Sequence, residues 1–326
     1  MRWFASPVRS LSIVVVFVGS VLFSACSDDD GAPSTDAGAG VDSPASADAG
    51  AGADGATTGS SVMSLRTDSY SLATGEQYRC WWIRPEAFDA TRAVRAFRPI
   101  GGAGVHHLAL FWTGSVIDRD DEECDNFETS WSLIAGAGAG TGEMALPDGI
   151  AMPIPEGGTF VLQVHIVNSG ATPIDVSAGY DLVLTDPGES YMRAGIYLIF
   201  STTFAVPAHA TDYVETATCS GNFDDDVTIA TLFPHMHQLG SRFEVELASG
   251  GTSSMLFDSS WAFERQEFVT FDPAVRLTPA DELTIRCHYD NPSGVEVPFG
   301  SNTSDEMCAA AFYYYPATRN QVFCFR

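Results

Sequence analysis

The stretch "TFVLQVHIVN" (159–168) decides the fold class. It is rich in β-branched and aromatic residues and has no helical period, so it reads as a strand carrying one histidine among apolar neighbours. Around it, "RFEVELAS" (242–249), "EFVTF" (267–271) and "ELTIRCHYDN" (282–291) are also period-2 or β-branched-rich and are broken by Gly, Pro, Asn and Asp. No convincing 3.6-residue period of helical length occurs. "GAGAGTGEM" (136–144) reads as a glycine-rich loop and lacks the strand–helix context of a phosphate cradle. The expected body is therefore all-β, built as two tandem β-sandwich, jelly-roll-like domains. A break near "DPGESYMRAG" (186–195) divides it into residues 62–192 and 193–326.

The N-terminal part is of a different kind. "MRWFASPVRS" carries two arginines, and the apolar run "LSIVVVFVGSVLFSA" leads to Cys26. Such a run is short for a membrane span and reads as a secretory signal over residues 1–26. Ser24 and Ala25 before Cys26 resemble a bacterial lipobox, with Phe23 where leucine is usual, so lipidation of Cys26 is expected. Residues 27–61 have almost no large apolar side chains and read as a disordered, low-complexity tether. The expected location is the bacterial cell envelope, lipid-anchored at the outer membrane. The net charge of −26 speaks against a nucleic-acid partner, whose phosphates need a basic footprint. All sixteen basic residues are arginine, which excludes Schiff-base lysine chemistry and a Walker-type loop. Beyond Cys26 six cysteines remain: Cys80, Cys124, Cys219, Cys287, Cys308 and Cys324. An even count in an exported chain implies disulfides, with fifteen possible connectivities, and no CxxC pair suggests a zinc ribbon.

Five of the seven histidines fall in three places: His106 and His107 in "GVHHLALFW", His165 in "LQVHIVN", and His235 and His237 in "LFPHMHQLG". Residues i and i+2 of a strand share a face, so His235 and His237 can converge on one ion while Met236 points away. Adjacent strand residues face opposite ways. His106 and His107 can therefore share a metal only at a strand end or bulge, or by using different ring nitrogens. Gln163 shares a face with His165 and is a possible partner of its outer nitrogen. His209 reads as a loop residue and His288 as a solvent-side strand residue.

An HH pair, a single histidine in "LQVH", an HxH followed by Leu-Gly, and then "DEMC" resemble the copper type II, ascorbate-dependent monooxygenases. The animal members include peptidylglycine alpha-hydroxylating monooxygenase and dopamine beta-monooxygenase. The resemblance runs from about residue 64 to the C-terminus. It implies two coppers, one in each sandwich, facing each other across a solvent-filled cleft. His106, His107 and His165 would hold the electron-transfer copper; His235, His237 and Met307 would hold the oxygen-binding copper. A soft thioether favours Cu(I), the state that meets O2, while three imidazoles serve both oxidation states. The resemblance also pairs Cys80 with Cys124, Cys219 with Cys324, and Cys287 with Cys308. Additional first-domain disulfides of the animal members have no counterpart here.

The activity implied is hydroxylation of a substrate C–H bond using O2 and two electrons from ascorbate or another small reductant, by a monomer. The substrate side departs from the peptide-amidating pattern. An arginine before the HxH and polar residues after the methionine bind a carboxylate there; here the positions are Phe233, Ala309 and Ala311. Read as a strand, "MCAAAFYYYP" puts Met307, Ala309, Ala311 and Tyr313 on one face, implying a small apolar pocket and a non-carboxylate substrate. The rival function is an exported copper-binding or buffering lipoprotein without turnover.

Overall fold

The computed structural model describes residues 62–84, 92–124, 128, 130–138 and 140–326. The signal segment, Cys26 and the tether lie outside the described residues. Among the described residues all regular structure is β-strand, as the alternating runs predict.

Two large sheets are built from residues 62–193, beside a two-stranded one of Tyr70–Leu72 and Ile174–Val176. One runs Val62–Arg66, Ala178–Leu184, Ala93–Gly101, Ile150–Pro153 and Met192–Arg193, with Met144–Ala145 added to Ala93–Gly101. The other runs Glu122–Glu123, Gly75–Ile83, Phe160–Asn168, Val105–Trp112 and Ser132–Gly138. Alternate residues of both, among them Phe97, Leu182, Leu110 and Leu162, meet in one apolar core. Residues 195–325 build a second pair. Its first sheet runs Val269–Leu277, Val227–His235, Cys308–Tyr315, Gly195–Ser201 and Gln321–Phe325. Its second runs Tyr213–Ser220, Glu282–Tyr289, Gly240–Ser249 and Thr252–Ser260. Their facing residues, such as Ile229, Phe312, Val245 and Ile285, form a second core.

The strand Cys308–Tyr315 explains how the two halves fit together. Ala310, Phe312 and Tyr314 point into the second core, whereas Ala311 and Tyr313 belong to the first, as does Phe233 of the neighbouring strand. A strand covered on both faces loses its polar alternation, which is why "CAAAFYYY" reads as a continuous apolar run. This overturns the expected pocket. Phe233, Ala311 and Tyr313 do share an apolar face, but that face is packed against the first half. The Phe233 and Phe268 ring centroids are 4.9 Å apart, and Tyr313 donates a hydrogen bond to the Ile134 carbonyl at 3.3 Å.

"GAGAGTGEM" is also corrected: Gly136, Ala137 and Gly138 finish a strand, and the turn follows them. The glycines are there because another chain segment comes close. A Cβ at Gly138 would stand 2.9 Å from Gln266 Cβ, and one at Gly136 would touch the Phe233 ring at 3.5 Å. His288 is buried, not solvent-facing. Its strand is flanked on both sides by others, and Asp212 takes its Nδ1 at 2.6 Å.

Three disulfides join Cys80 to Cys124, Cys219 to Cys324 and Cys287 to Cys308. The last two cross between the two sheets of the second pair. Three such bridges belong to an oxidising compartment, consistent with an exported protein.

Candidate metal centre

The adjacent histidines are reconciled by a bulge. His165 pairs with His107 across the ladder, the next residue Ile166 pairs with Val105, and His106 is left as the extra residue. A bulge re-aims side chains that regular pleating would separate. As a result one ring nitrogen each from His106, His107 and His165 lie within 4.8 Å of one another. The Nδ1 atoms of His165 and His107 are 3.4 Å apart. On its outer side His165 Nε2 meets the Glu76 carboxylate at 2.7 Å. Tyr78, directly across the ladder from His165, stacks on its ring with centroids 4.2 Å apart and planes 3° from parallel. Gln163 instead reaches the Cys124 carbonyl at 3.4 Å, so Glu76 takes the place the sequence suggested for Gln163.

His235 ends its strand and His237 follows in a turn, with ring centroids 5.2 Å apart. Met236 between them is fully buried in the second core, facing away from the imidazoles as the i, i+2 argument requires. The turn is held by Glu306, whose carboxylate accepts from the backbone N–H of His237 at 3.0 Å and of Leu239 at 2.6 Å. His237 Nδ1 is 3.0 Å from the Asp305 carbonyl, which leaves Nε2 to face inward. Met307 comes next in the chain, its carbonyl accepting from the Tyr289 hydroxyl at 2.7 Å. The ladder ends at the pair His235–Ala309, and Ala309 stands two residues after Met307 in the chain.

The resemblance implies a solvent-filled cleft between the two histidine sets. The structure instead has them in contact. The ring centroid of His107 lies 5.2 Å from that of His235 and 6.1 Å from that of His237. The amide of Gln266 spans the seam, 2.8 Å from His235 Nδ1 and 3.1 Å from His107 Nε2. Phe263, from the same segment, stacks on His106 at 4.2 Å. Small residues on the first half's outer face, Gly136 and Gly138, admit this approach.

Burial dominates the electrostatics. It pushes His106 down and His107 well down, and takes His165 and His237 to about 4 and His235 to about 3. The imidazoles are therefore neutral at pH 7, the form that binds a metal. Burial also raises Glu306 to about 7, against the pull of the backbone N–H groups that it accepts from. Burial alone would raise Glu76, but hydrogen bonds from Thr303 and His165 bring it below its ordinary value.

Three convergent neutral imidazoles are a donor set for a transition metal. His106 Nδ1 is buried with no hydrogen-bond partner among the described residues, and buried polar groups seldom go unpaired without a reason. These residues fit copper. Glu76, Tyr78, Phe263 and Gln266 were missed by sequence reasoning, and Glu306 was quoted in "DEMC" without a role. Glu76 and Tyr78 share the alternating face of one strand, so their common direction was readable. Nothing in "WAFERQEF" (261–268) signals that Gln266 would reach two histidines on different strands.

Among the described residues the structure is all-β, with the histidines gathered where the two sheet pairs meet. The comparisons then show what the chain is similar to. Residues 192–326 match the family described as "Copper type II ascorbate-dependent monooxygenase, C-terminal domain". "Putative DBH-like monooxygenase protein 2" of Homo sapiens is 25% identical over 234 residues, covering 65% of this chain and 47% of that protein. "DBH-like monooxygenase protein 2" of Mus musculus is 27% identical over 267 residues, covering 73% and 43%. "Tyramine beta-hydroxylase" of Caenorhabditis briggsae is 25% identical over 245 residues, covering 67% and 41%. Over residues 192–326 the chain is therefore similar to the copper type II ascorbate-dependent monooxygenases, and it spans less than half the length of these relatives.

Proposed function

We propose that the protein is a copper monooxygenase that hydroxylates a C–H bond of a small, apolar or non-carboxylate organic substrate with O2 and ascorbate or another small reductant. The observation that carries this reading is the trio His106, His107 and His165, neutral, convergent and with one buried nitrogen unpartnered. In this reading each half of the body is one copper domain. His106, His107 and His165 hold the electron-transfer copper, and His235, His237 and Met307 hold the oxygen-binding one. Bound copper would supply one-electron chemistry toward O2. The chain's own residues orient the ligands: Glu76 and Tyr78 hold His165, Asp305 holds a proton at His237 Nδ1, and Glu306, next to Met307 in the chain, fixes the turn that begins at His237. Phe263 stacks on the His106 ring.

The substrate class rests only on the lack of a carboxylate clamp: Phe233, Ala309 and Ala311 stand where the peptide-amidating pattern has carboxylate-binding residues, and none of them can bind a carboxylate. Export through residues 1–26 and a lipid anchor at Cys26 in the outer membrane complete the reading. The test is copper content together with O2-dependent reductant consumption, for the wild-type chain and for Met307→Ile. Turnover in the wild type that collapses in Met307→Ile supports a monooxygenase. Two bound coppers with no O2 uptake on any candidate substrate would make the protein a copper buffer. Efficient oxidation of peptidylglycine substrates would overturn the substrate class.

A further inference from the structure

We infer that Glu76 is a positioning residue that couples the first histidine set to the loop delivering Met307. The inference rests on the copper reading above. Glu76 and Tyr78 stand two apart on the strand Gly75–Ile83 and so share a face. Each makes one contact to His165 and one to the 301–303 stretch of the second half. The Glu76 carboxylate takes His165 Nε2 at 2.7 Å and accepts from Thr303, through its hydroxyl and its backbone N–H, the latter at 3.3 Å. Tyr78 stacks on the His165 ring, and its hydroxyl donates to the Ser301 carbonyl at 2.6 Å. The loop that receives both contacts continues through Asp305 and Glu306, which hold His237, and on to Met307.

The geometry has two consequences. A carboxylate on Nε2 fixes which nitrogen of His165 carries the proton, so Nδ1 is left to face His107 and a bound ion. An outer carboxylate of this kind both orients a ligating imidazole and raises its basicity, and its loss costs about 10–100-fold in metal affinity. Thr303 is held by the same carboxylate and its hydroxyl lies 3.2 Å from His165 Nε2, so a change on the second half alone should be felt at the first histidine set, through Glu76 and directly. A hydrogen bond serving only to stabilise the fold would not do this.

The experiment is a competitive copper titration of the full chain, with Cu(II) electron paramagnetic resonance, on wild type, Glu76→Ala, Glu76→Gln and Thr303→Val. Melting of the metal-free proteins is followed in parallel. In Glu76→Ala one of the two copper equivalents should bind about 10–100-fold more weakly with a changed resonance signal, while the other equivalent is unaffected. Glu76→Gln, which keeps an acceptor without its charge, should fall between Glu76→Ala and wild type. Thr303→Val should shift the same signal in the same direction. A Glu76→Ala protein with wild-type affinity and signal overturns the inference, even if its metal-free form melts lower. A wild type that binds no copper overturns the copper reading and this inference with it; a wild type that binds two equivalents leaves the Glu76 result to decide the inference alone.

Discussion

The two histidine sets are held by different means. The first is fixed by the sheet itself: His107 and His165 face each other across a ladder, a bulge turns His106 toward them, and Tyr78 and Glu76 back the group from the next strand. The second hangs on a strand end and a turn. His235 is the last residue of its strand, His237 lies beyond it, and one buried carboxylate, Glu306, ties the turn to the approach of Met307. Ladder hydrogen bonds around His107 and His165 resist displacement together, whereas the second set depends on a few individual bonds. Their free nitrogens differ as well: Nδ1 of His165 in the first set, Nε2 of His235 and His237 in the second. In the proposed two-copper reading, the rigid set of three imidazoles and the more adjustable pair would serve ions with different tasks.

The largest effect should come from removing ligands one set at a time. In the proposed two-copper reading, His107→Ala should lower copper from two per chain to one, measured by elemental analysis, and His235→Ala should remove the other. If either single variant lost both ions, the contrast between the sets would be wrong, and the seam at His107 and His235 would be one shared site.

Next is the pH dependence of the metal-free protein. His165 and His237 are held near 4, against about 6.5 in an unfolded chain, so between these values the unfolded state binds more protons. Stability should therefore be intact above about pH 6.5 and fall as pH drops toward 4, by about 1.4 kcal/mol per pH unit for each histidine. Glu306, raised to about 7, acts in the opposite sense between its unfolded value and 7 and offsets part of the slope. Denaturant melts from pH 7 to 4.5, with and without copper, check this. Copper should steepen the loss, since protons compete for the same nitrogens.

Glu306→Ala probes the second set's weaker support. It leaves the buried N–H of His237 and the partly buried N–H of Leu239 without their acceptor, a loss of about 2 kcal/mol. Urea melts give the stability. The first set should keep its copper affinity, while the second should weaken.

What the sequence disclosed follows the same division. Strand runs, the shared face of His235 and His237, and the need for a bulge at His106–His107 were all legible, because each depends on the period of a single strand. The disulfide pairing came only through the family resemblance, since six cysteines leave fifteen connectivities open. Glu76, Gln266 and the burial of Phe233, Ala311 and Tyr313 were not legible. They depend on how one half lies on the other, and a face covered by a neighbour looks, in sequence, the same as the wall of an empty pocket. His288 was misread for a related reason: its strand is central in its sheet, and its polar neighbours Asp212 and Glu244 fold over it.

The seam itself offers the finest test, because two glycines on one strand face it at different clearances. At Gly138 a Cβ would meet three Gln266 side-chain atoms between 2.9 and 3.1 Å, so an alanine must displace the amide that spans His107 and His235. Overpacking of this kind costs about 1–3 kcal/mol. At Gly136 the nearest atom is a Phe233 ring carbon at 3.5 Å, ordinary contact, and the strand gains by losing a glycine. Gly136→Ala should therefore be neutral or slightly stabilising in thermal melts. Gly138→Ala should melt lower and alter the copper signals of both histidine sets together, because Gln266 touches one imidazole of each. Should the two variants melt alike, the close approach of Gln266 to His107 does not hold the halves together, and the two sets are positioned independently of that contact.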